Sequence, residues 1–271
     1  MLESQVHILN LPIHNLSMTE LLIQLRFGGT VFTPNVDHLV QLQSDSDFYR
    51  IYQSVDYRMC DSQILMYASR FLGHPIREKI SGSDLFPAFC DFYKEDESIK
   101  IFLLGSSEGI AQQAQLVINE RVGRKIVIAS HSPSYGLEKN EAECRQIIDL
   151  IDQSGATVLA IGLGTPKQEK WIFKYKHLFK NIEIFLAIGA TIDFEAGHRQ
   201  RSPKWVSDAG LEWLFRIIYE PRRLWKRYLV KDIVFFHYLI KQKLNLYQDP
   251  FTSVDSLQIT PDKQYSHSIR D

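Results

Sequence analysis

The chain has 271 residues, room for one large α/β domain with or without an appendage, and its 45% hydrophobic and 23% charged residues are those of a globular protein. A net charge of −1 excludes a nucleic-acid-binding character for the molecule as a whole, and three widely spaced cysteines (Cys60, Cys90, Cys144) exclude a disulfide framework and a Cys/His zinc site. No apolar run approaches the roughly 20 residues that span a bilayer. The first residues lack a basic stretch followed by a long apolar one, so no signal peptide is expected, and the odd number of widely spaced cysteines fits a reducing cytoplasm.

In chain order, a first strand is expected at residues 6–9. Ser17-Met18-Thr19-Glu20 has capping-box spacing, so a helix should run to Leu25 and stop at Gly28-Gly29. Residues 30–33 read as a strand, after which Asn35 can cap a helix carrying Leu39, Val40 and Leu42. Residues 56–60 read as a short strand leading to Asp61 and a helix through Ile64, Leu65, Tyr67 and Ala68. Ser81-Gly82-Ser83-Asp84 is a turn and cap before a helix over 85–93. From residue 99 strands (99–104, 125–130, 157–161, 182–188) alternate with helices (110–122, 140–153, 167–179). That alternation predicts an α/β fold with a Rossmann-like, mostly parallel sheet flanked by helices. Ligands of such sheets sit outside the carboxyl ends of the strands. Thr33, Asn35, Asp61, Gly105, Tyr135, Gly162 to Gln168 and Gly189 to Asp193 all follow expected strands and should crowd one edge.

The most informative stretch is TVLAIGLGTPKQEKW (157–171), a buried strand, a glycine turn and the start of a helix. Gly162 and Gly164 allow a sharp turn and close approach of a ligand to the backbone. Thr165 suits the N-cap and Pro166 the first helical position, so free N–H groups and the positive end of the helix dipole should face an anion, with Lys167 and Gln168 adding a charge and an amide. An ordinary strand–helix turn has the same pattern. Neither this turn nor 105–109 completes a G-x-G-x-x-G, and no G-x-x-x-x-G-K-[ST] occurs, which counts against nicotinamide dehydrogenases and P-loop NTPases.

Asp61 is the best general-base candidate, or else a helix cap. Asp193 either accepts from a ribose or base or caps a helix, and Tyr135 either stacks on a base or packs on the domain. Asp45-Ser46-Asp47 is formally a D-x-D, but its polar setting between helical segments reads as a solvated turn with caps, so no metal site is assigned.

Residues 197–247 hold 11 Lys/Arg against 4 Asp/Glu, a local +7, interleaved with Trp213, Phe215, Trp225, Tyr228, Phe235, Phe236 and Tyr238. This is the composition of an amphipathic helical pair in a membrane interface, where each basic residue gains roughly 1 kcal/mol from anionic head groups. The alternative is a terminal helix packed on the domain with its cations outward. The apolar load is too high for a face that tracks nucleic acid. The expected organisation is an α/β domain over 1–200, a membrane-associating basic, aromatic helical appendage over 201–247, and a polar, disordered tail over 248–271.

Six segments in order, TPNVDHLV (33–40), MCDSQIL (59–65), SGSDL (81–85), GLGTPKQEKW (162–171), GATIDFEAG (189–197) and RSPKWVSDAGLEWLFRIIYEPRR (201–223), resemble the WecG/TagA/CpsF glycosyltransferases over about residues 6–228. The resemblance implies a bacterial, inverting, metal-independent enzyme without a cofactor. It would move a sugar (N-acetylmannosamine, its uronic acid, a hexose or a hexuronic acid) from a UDP-sugar donor to a polyprenyl-diphosphate-linked sugar acceptor in cell-surface polysaccharide synthesis. It also implies a peripheral location on the cytoplasmic membrane surface, the inner face of the plasma membrane, and allows a homo-oligomer. The family's base falls on Asp61, its sugar-site residues on Thr33, Asn35 and Gln168, its nucleoside aspartate on Asp193, and the arginines of its appendage on Arg216, Arg222 and Arg223. A non-catalytic nucleotide-sugar-binding or scaffold protein of a polysaccharide assembly complex is the alternative. The role of the segment after Tyr228 is left open.

Overall fold

The computed structural model describes residues 4–203, 206, 211, 214, 215 and 233–251. Six strands form one parallel sheet: β3 (Gly29–Phe32), β4 (Tyr57–Arg58), β5 (Ile101–Gly105), β6 (Val127–His131), β7 (Val158–Gly162) and β8 (Ile184–Ala187), in the order β4-β3-β8-β7-β5-β6. The central strands are continuous apolar runs because both faces are covered. Successive side chains point to opposite faces and feed two cores. Phe102, Leu104, Leu159, Ile161 and Phe185 enter one, whereas Ile101, Leu103, Val158, Ala160, Ile184 and Leu186 enter the other.

A separate antiparallel hairpin, β1 (Gln5–Ile8) and β2 (Leu11–His14), covers part of the first face. β2 escapes sequence reading. Its turn is Leu9-Asn10, with Leu9 at φ 54°, rather than a glycine turn, and Pro12 argues against a strand except at an edge. The helices whose bounds fall among the described residues are α1 (Met18–Gln24), α2 (Val36–Gln41), α3 (Ser46–Gln53), α4 (Gln63–Leu72), α5 (Gly82–Phe92), α6 (Ile110–Val122), α7 (Glu141–Ser154), α8 (Lys167–Tyr175), α9 (Thr191–Glu195) and α10 (Ile233–Lys243). Ser17 and Glu20 form the expected capping box on α1, and Asn35, Ser81 and Asn140 cap α2, α5 and α7.

Helix α10 lies beyond the resemblance, yet it packs on α2 and α4, with Phe235 and Leu239 entering the first core. Gln242 ties it to the hairpin: Oε1 accepts from the Leu9 N–H (2.8 Å) and Nε2 donates to the His7 carbonyl (3.1 Å). Beyond it, Tyr247 donates to Gln43 (2.7 Å), and Asp249 accepts from Tyr49 (3.2 Å) and Asn10 (3.4 Å). The rest of the expected tail, 252–271, lies outside the described residues. All three cysteines are buried and unpaired, and burial pushes the Cys60 thiol up to about 12, which makes it a poor nucleophile.

His14 links the hairpin to the sheet. Its Nδ1 accepts from the Arg58 backbone N–H (3.0 Å), which only an unprotonated nitrogen can do. Burial, then the Arg58 charge, lowers its pKa from 6.5 to about 4. Between those values the unfolded chain binds a proton that the folded chain refuses. Stability should therefore fall as pH drops from 6.5 toward 4, by on the order of 3 kcal/mol from this group, and flatten below. Urea titrations at a series of pH values check this: a His14→Gln chain should lack that component, and identical pH profiles for the two chains would refute it.

Candidate functional site

After β5 the chain moves to β6 on one side of the sheet, and after β7 it moves to β8 on the other. The order thus reverses between β5 and β7, and the region outside the carboxyl ends at such a reversal is where open α/β sheets bind ligands. Three glycines bring the strand ends together there. A Cβ on Gly105 (φ 138°) would lie 2.5 Å from the Gly162 carbonyl oxygen, and a Cβ on Gly162 would lie 2.6 Å from that of Gly189. Gly162 is therefore small for strand-end packing, which differs from the expected approach to a ligand. Gly164, at φ 76°, has open space where a Cβ would stand, so glycine there serves the turn rather than close packing.

Thr165 does not cap α8. Pro166 holds the N-cap position and the helix begins at Lys167. The Thr165 hydroxyl is turned inward, 2.8 Å from His38 Nε2 and 3.0 Å from Glu169 Oε1, where it meets the hydrogen-bonding needs of buried polar groups. One of the N–H groups expected to face an anion is also occupied, since Gln168 N–H donates to the Gly164 carbonyl (3.0 Å). Gln168 itself is buried, its Oε1 accepting from the Gly189 N–H (3.1 Å) and its Nε2 donating to Glu169 (3.0 Å). Its amide keeps one N–H and one lone pair for a ligand.

Lys167 reaches across to the loop after β6. Its Nζ is 3.0 Å from Glu138 and 5.0 Å from the centre of the Tyr135 ring. Tyr135 is fully exposed, so it is available for stacking rather than packed into the domain. Asp193 sits in the first turn of α9 but is not its cap, since Ala190 is the N-cap residue. The Asp193 carboxylate accepts from Ser106 (3.0 Å), linking the ends of β5 and β8.

On the other side of β8, the Asp61 N–H donates to the Pro34 carbonyl (3.0 Å), tying the loop after β4 to the loop carrying Thr33 and Asn35. Asp61 is half-buried, and Ser62 rather than Asp61 occupies the N-cap of α4. Asn35 caps α2 with its Oδ1, which accepts from the N–H groups of Asp37 (3.1 Å) and His38 (3.4 Å). Thr33 is buried at the end of β3. The D-x-D behaves as the solvated turn expected. Asp45 caps α3 through the Phe48 N–H (2.9 Å) and pairs with Lys170 (2.7 Å), while Asp47 pairs with Arg50. Arg216, Arg222 and Arg223 lie outside the described residues.

Sequence reasoning passed over His38, Ser106 and Glu169. Glu169 left a signal: with Gln168, Ile172 and Tyr175 it falls on the buried face of an amphipathic helix, where an unneeded carboxylate is costly. Ser106 left none, because its contact with Asp193 spans 87 positions. Among the described residues no helix is long and apolar enough to cross a membrane.

The chain's sequence matches the profile of the Glycosyl transferase WecG/TagA/CpsF family over residues 6–249, which takes in α10. It is similar to an N-acetylglucosaminyldiphosphoundecaprenol N-acetyl-beta-D-mannosaminyltransferase of Bacillus spizizenii, 28% identical over 204 residues covering 74% of this chain and 75% of the relative. It is also similar to the Bacillus subtilis protein of the same name, 25% identical over 227 residues covering 81% of this chain and 85% of the relative. With an α/β sheet whose strand ends gather a carboxylate, an exposed aromatic ring and an open glycine turn, and with a family profile matching most of its length, this chain is a glycosyltransferase of the WecG/TagA/CpsF family.

Proposed function

We propose that the chain transfers N-acetylmannosamine from UDP-N-acetylmannosamine to an N-acetylglucosamine carried on a polyprenyl diphosphate, with inversion and without a metal ion, in the synthesis of a cell-surface polysaccharide. The observation that supports the reading is the backbone bond between Asp61 and Pro34, which joins the loop carrying Asp61 to the loop carrying Thr33 and Asn35 at the carboxyl edge of the sheet, where β7 also ends. The names of the Bacillus relatives supply the sugars. In this reading the donor's uracil stacks on Tyr135 and its ribose meets Asp193. The sugar is held by Thr33, Asn35 and Gln168.

Asp61 takes the proton from the acceptor hydroxyl as that oxygen bonds to the anomeric carbon, and the bond from that carbon to the UDP oxygen breaks on the opposite face. The departing diphosphate gathers negative charge, which backbone N–H groups, Lys167 and the arginines Arg216, Arg222 and Arg223 offset. The acceptor's lipid calls for a seat on the cytoplasmic face of the membrane. The exposed side chains of Ile233, Phe236 and Ile240 on α10, beside Lys241 and Lys243, support such a seat.

A metal-free mechanism fits the use of Asp45 as a helix cap paired with Lys170. Transfer assayed in millimolar EDTA should match transfer in added Mn²⁺ or Mg²⁺ within about twofold, since the charge on the leaving group is met by protein donors. Activity that vanished in EDTA and returned only with metal would overturn this part of the proposal.

A further inference from the structure

Behind Gln168 and Asn35 lies a buried polar cluster whose other members, Glu169, His38, Thr165 and Tyr52, the proposed mechanism does not use. Glu169 on α8 is 1% exposed, and its Oε1 accepts from Gln168 Nε2 (3.0 Å) and Thr165 Oγ1 (3.0 Å). His38 on α2, also buried, places Nε2 3.6 Å from the same oxygen and 2.8 Å from Thr165, and its Nδ1 2.8 Å from Asn35 Oδ1. Glu169 Oε2 and the hydroxyl of the wholly buried Tyr52, whose ring packs edge-on to His38, have no hydrogen-bond partner among the described residues. Burial, then the charges of Glu169 and Asp61, push the Tyr52 hydroxyl well above its ordinary range.

A carboxylate in such a place costs stability unless its bonds do something that an apolar residue cannot. What these bonds do is fix an amide. Gln168 Oε1 is held by the Gly189 N–H and Gln168 Nε2 by Glu169, so the amide plane and its N/O orientation are both set. A carboxylate accepts and never donates, so Glu169 reinforces at Nε2 the orientation that the Gly189 N–H sets at Oε1. We propose that Glu169, clamped by Thr165 and His38, is a positioning residue that locks the Gln168 amide with one N–H and one lone pair directed at a donor-sugar hydroxyl. This rests on the UDP-sugar reading above for the identity of the ligand, but not for the locked amide.

Glu169→Gln keeps the size of the side chain but replaces the charged acceptor by a neutral amide with a single oxygen, so the hold on Gln168 Nε2 weakens and the Gly189 N–H is left as the main constraint on the Gln168 amide. Transfer from UDP-N-acetylmannosamine should fall roughly 10–100-fold in kcat/KM, the loss typical of a displaced positioning group, while the Kd for UDP alone stays within about twofold. Because Glu169 acts through Gln168, the double variant Glu169→Gln/Gln168→Ala should lose no more than Gln168→Ala alone. A second readout does not depend on turnover. The side-chain amide resonances of Gln168, identified by their absence in Gln168→Ala, should be dispersed and slow to exchange in the full wild-type chain, and should collapse toward free-amide positions in Glu169→Gln. Unchanged resonances, additive losses in the double variant, or an equal loss of UDP affinity and thermal stability would overturn the proposal. A wild-type chain with a locked Gln168 amide but no sugar transfer would overturn the UDP-sugar reading and leave the positioning role standing.

Discussion

An Asp61→Asn enzyme should turn over at least 100-fold and up to about 10,000-fold more slowly than wild type, the range that a general base contributes. Its affinity for UDP should stay within about twofold. The reasons are geometric. Asparagine matches aspartate in shape, and the bond that fixes this position runs from the backbone N–H to the Pro34 carbonyl, which the substitution leaves in place. Ser62, not Asp61, occupies the N-cap of α4, so the substitution leaves the capping residue itself unchanged. What the substitution removes is the capacity to take a proton from the acceptor hydroxyl. Steady-state kinetics with UDP binding measured in parallel distinguishes the outcomes: a variant retaining full turnover would rule Asp61 out as the base, and one that loses UDP binding in step with turnover would assign it to donor binding.

Gly105→Ala should lower stability by about 3 kcal/mol and the melting temperature by roughly 6–12 °C. Two costs combine. At φ 138° an alanine is strained, and its methyl group would stand 2.5 Å from the Gly162 carbonyl, a backbone atom that cannot swing aside. If Gly162 shifts, it presses on Gly189, whose own N–H holds Gln168. Transfer activity should therefore fall as well, even where the variant remains folded. Gly164→Ala makes the comparison: its φ of 76° carries strain, but no atom lies within 4 Å of the added methyl. It should cost only about 1 kcal/mol. Equal melting temperatures for the two variants would show that the strand ends are not packed as described.

The fold was largely legible because a parallel sheet covered on both faces writes itself as short apolar runs between helical periods, and each sheet strand was expected close to where it lies. The same rule puts Asp61, Thr33, Asn35, Gly162 and Asp193 after strands of one parallel sheet, hence at one edge. What escaped depends on partners distant in sequence. Thr165 looked like a cap because sequence shows the next four residues but not His38, 127 positions away. Gly162 looked like a ligand-facing glycine because the Gly189 carbonyl that forbids a Cβ belongs to another strand. β2 stayed hidden behind a proline and a turn without glycine. Helix α10 was ambiguous for a different reason: it carries apolar residues on both sides, Phe235 and Leu239 inward and Phe236 and Ile240 outward, so composition alone could not choose between membrane and domain.

The most direct test of the account is a transfer assay with the full chain, UDP-N-acetylmannosamine and a short-chain polyprenyl diphosphate carrying N-acetylglucosamine, with the products followed by mass spectrometry and the new linkage read by NMR. The account predicts a lipid-linked disaccharide, formed in step with UDP release and with the anomeric configuration inverted relative to the donor. UDP-sugar binding without any disaccharide, or a product with the donor's configuration retained, would contradict it.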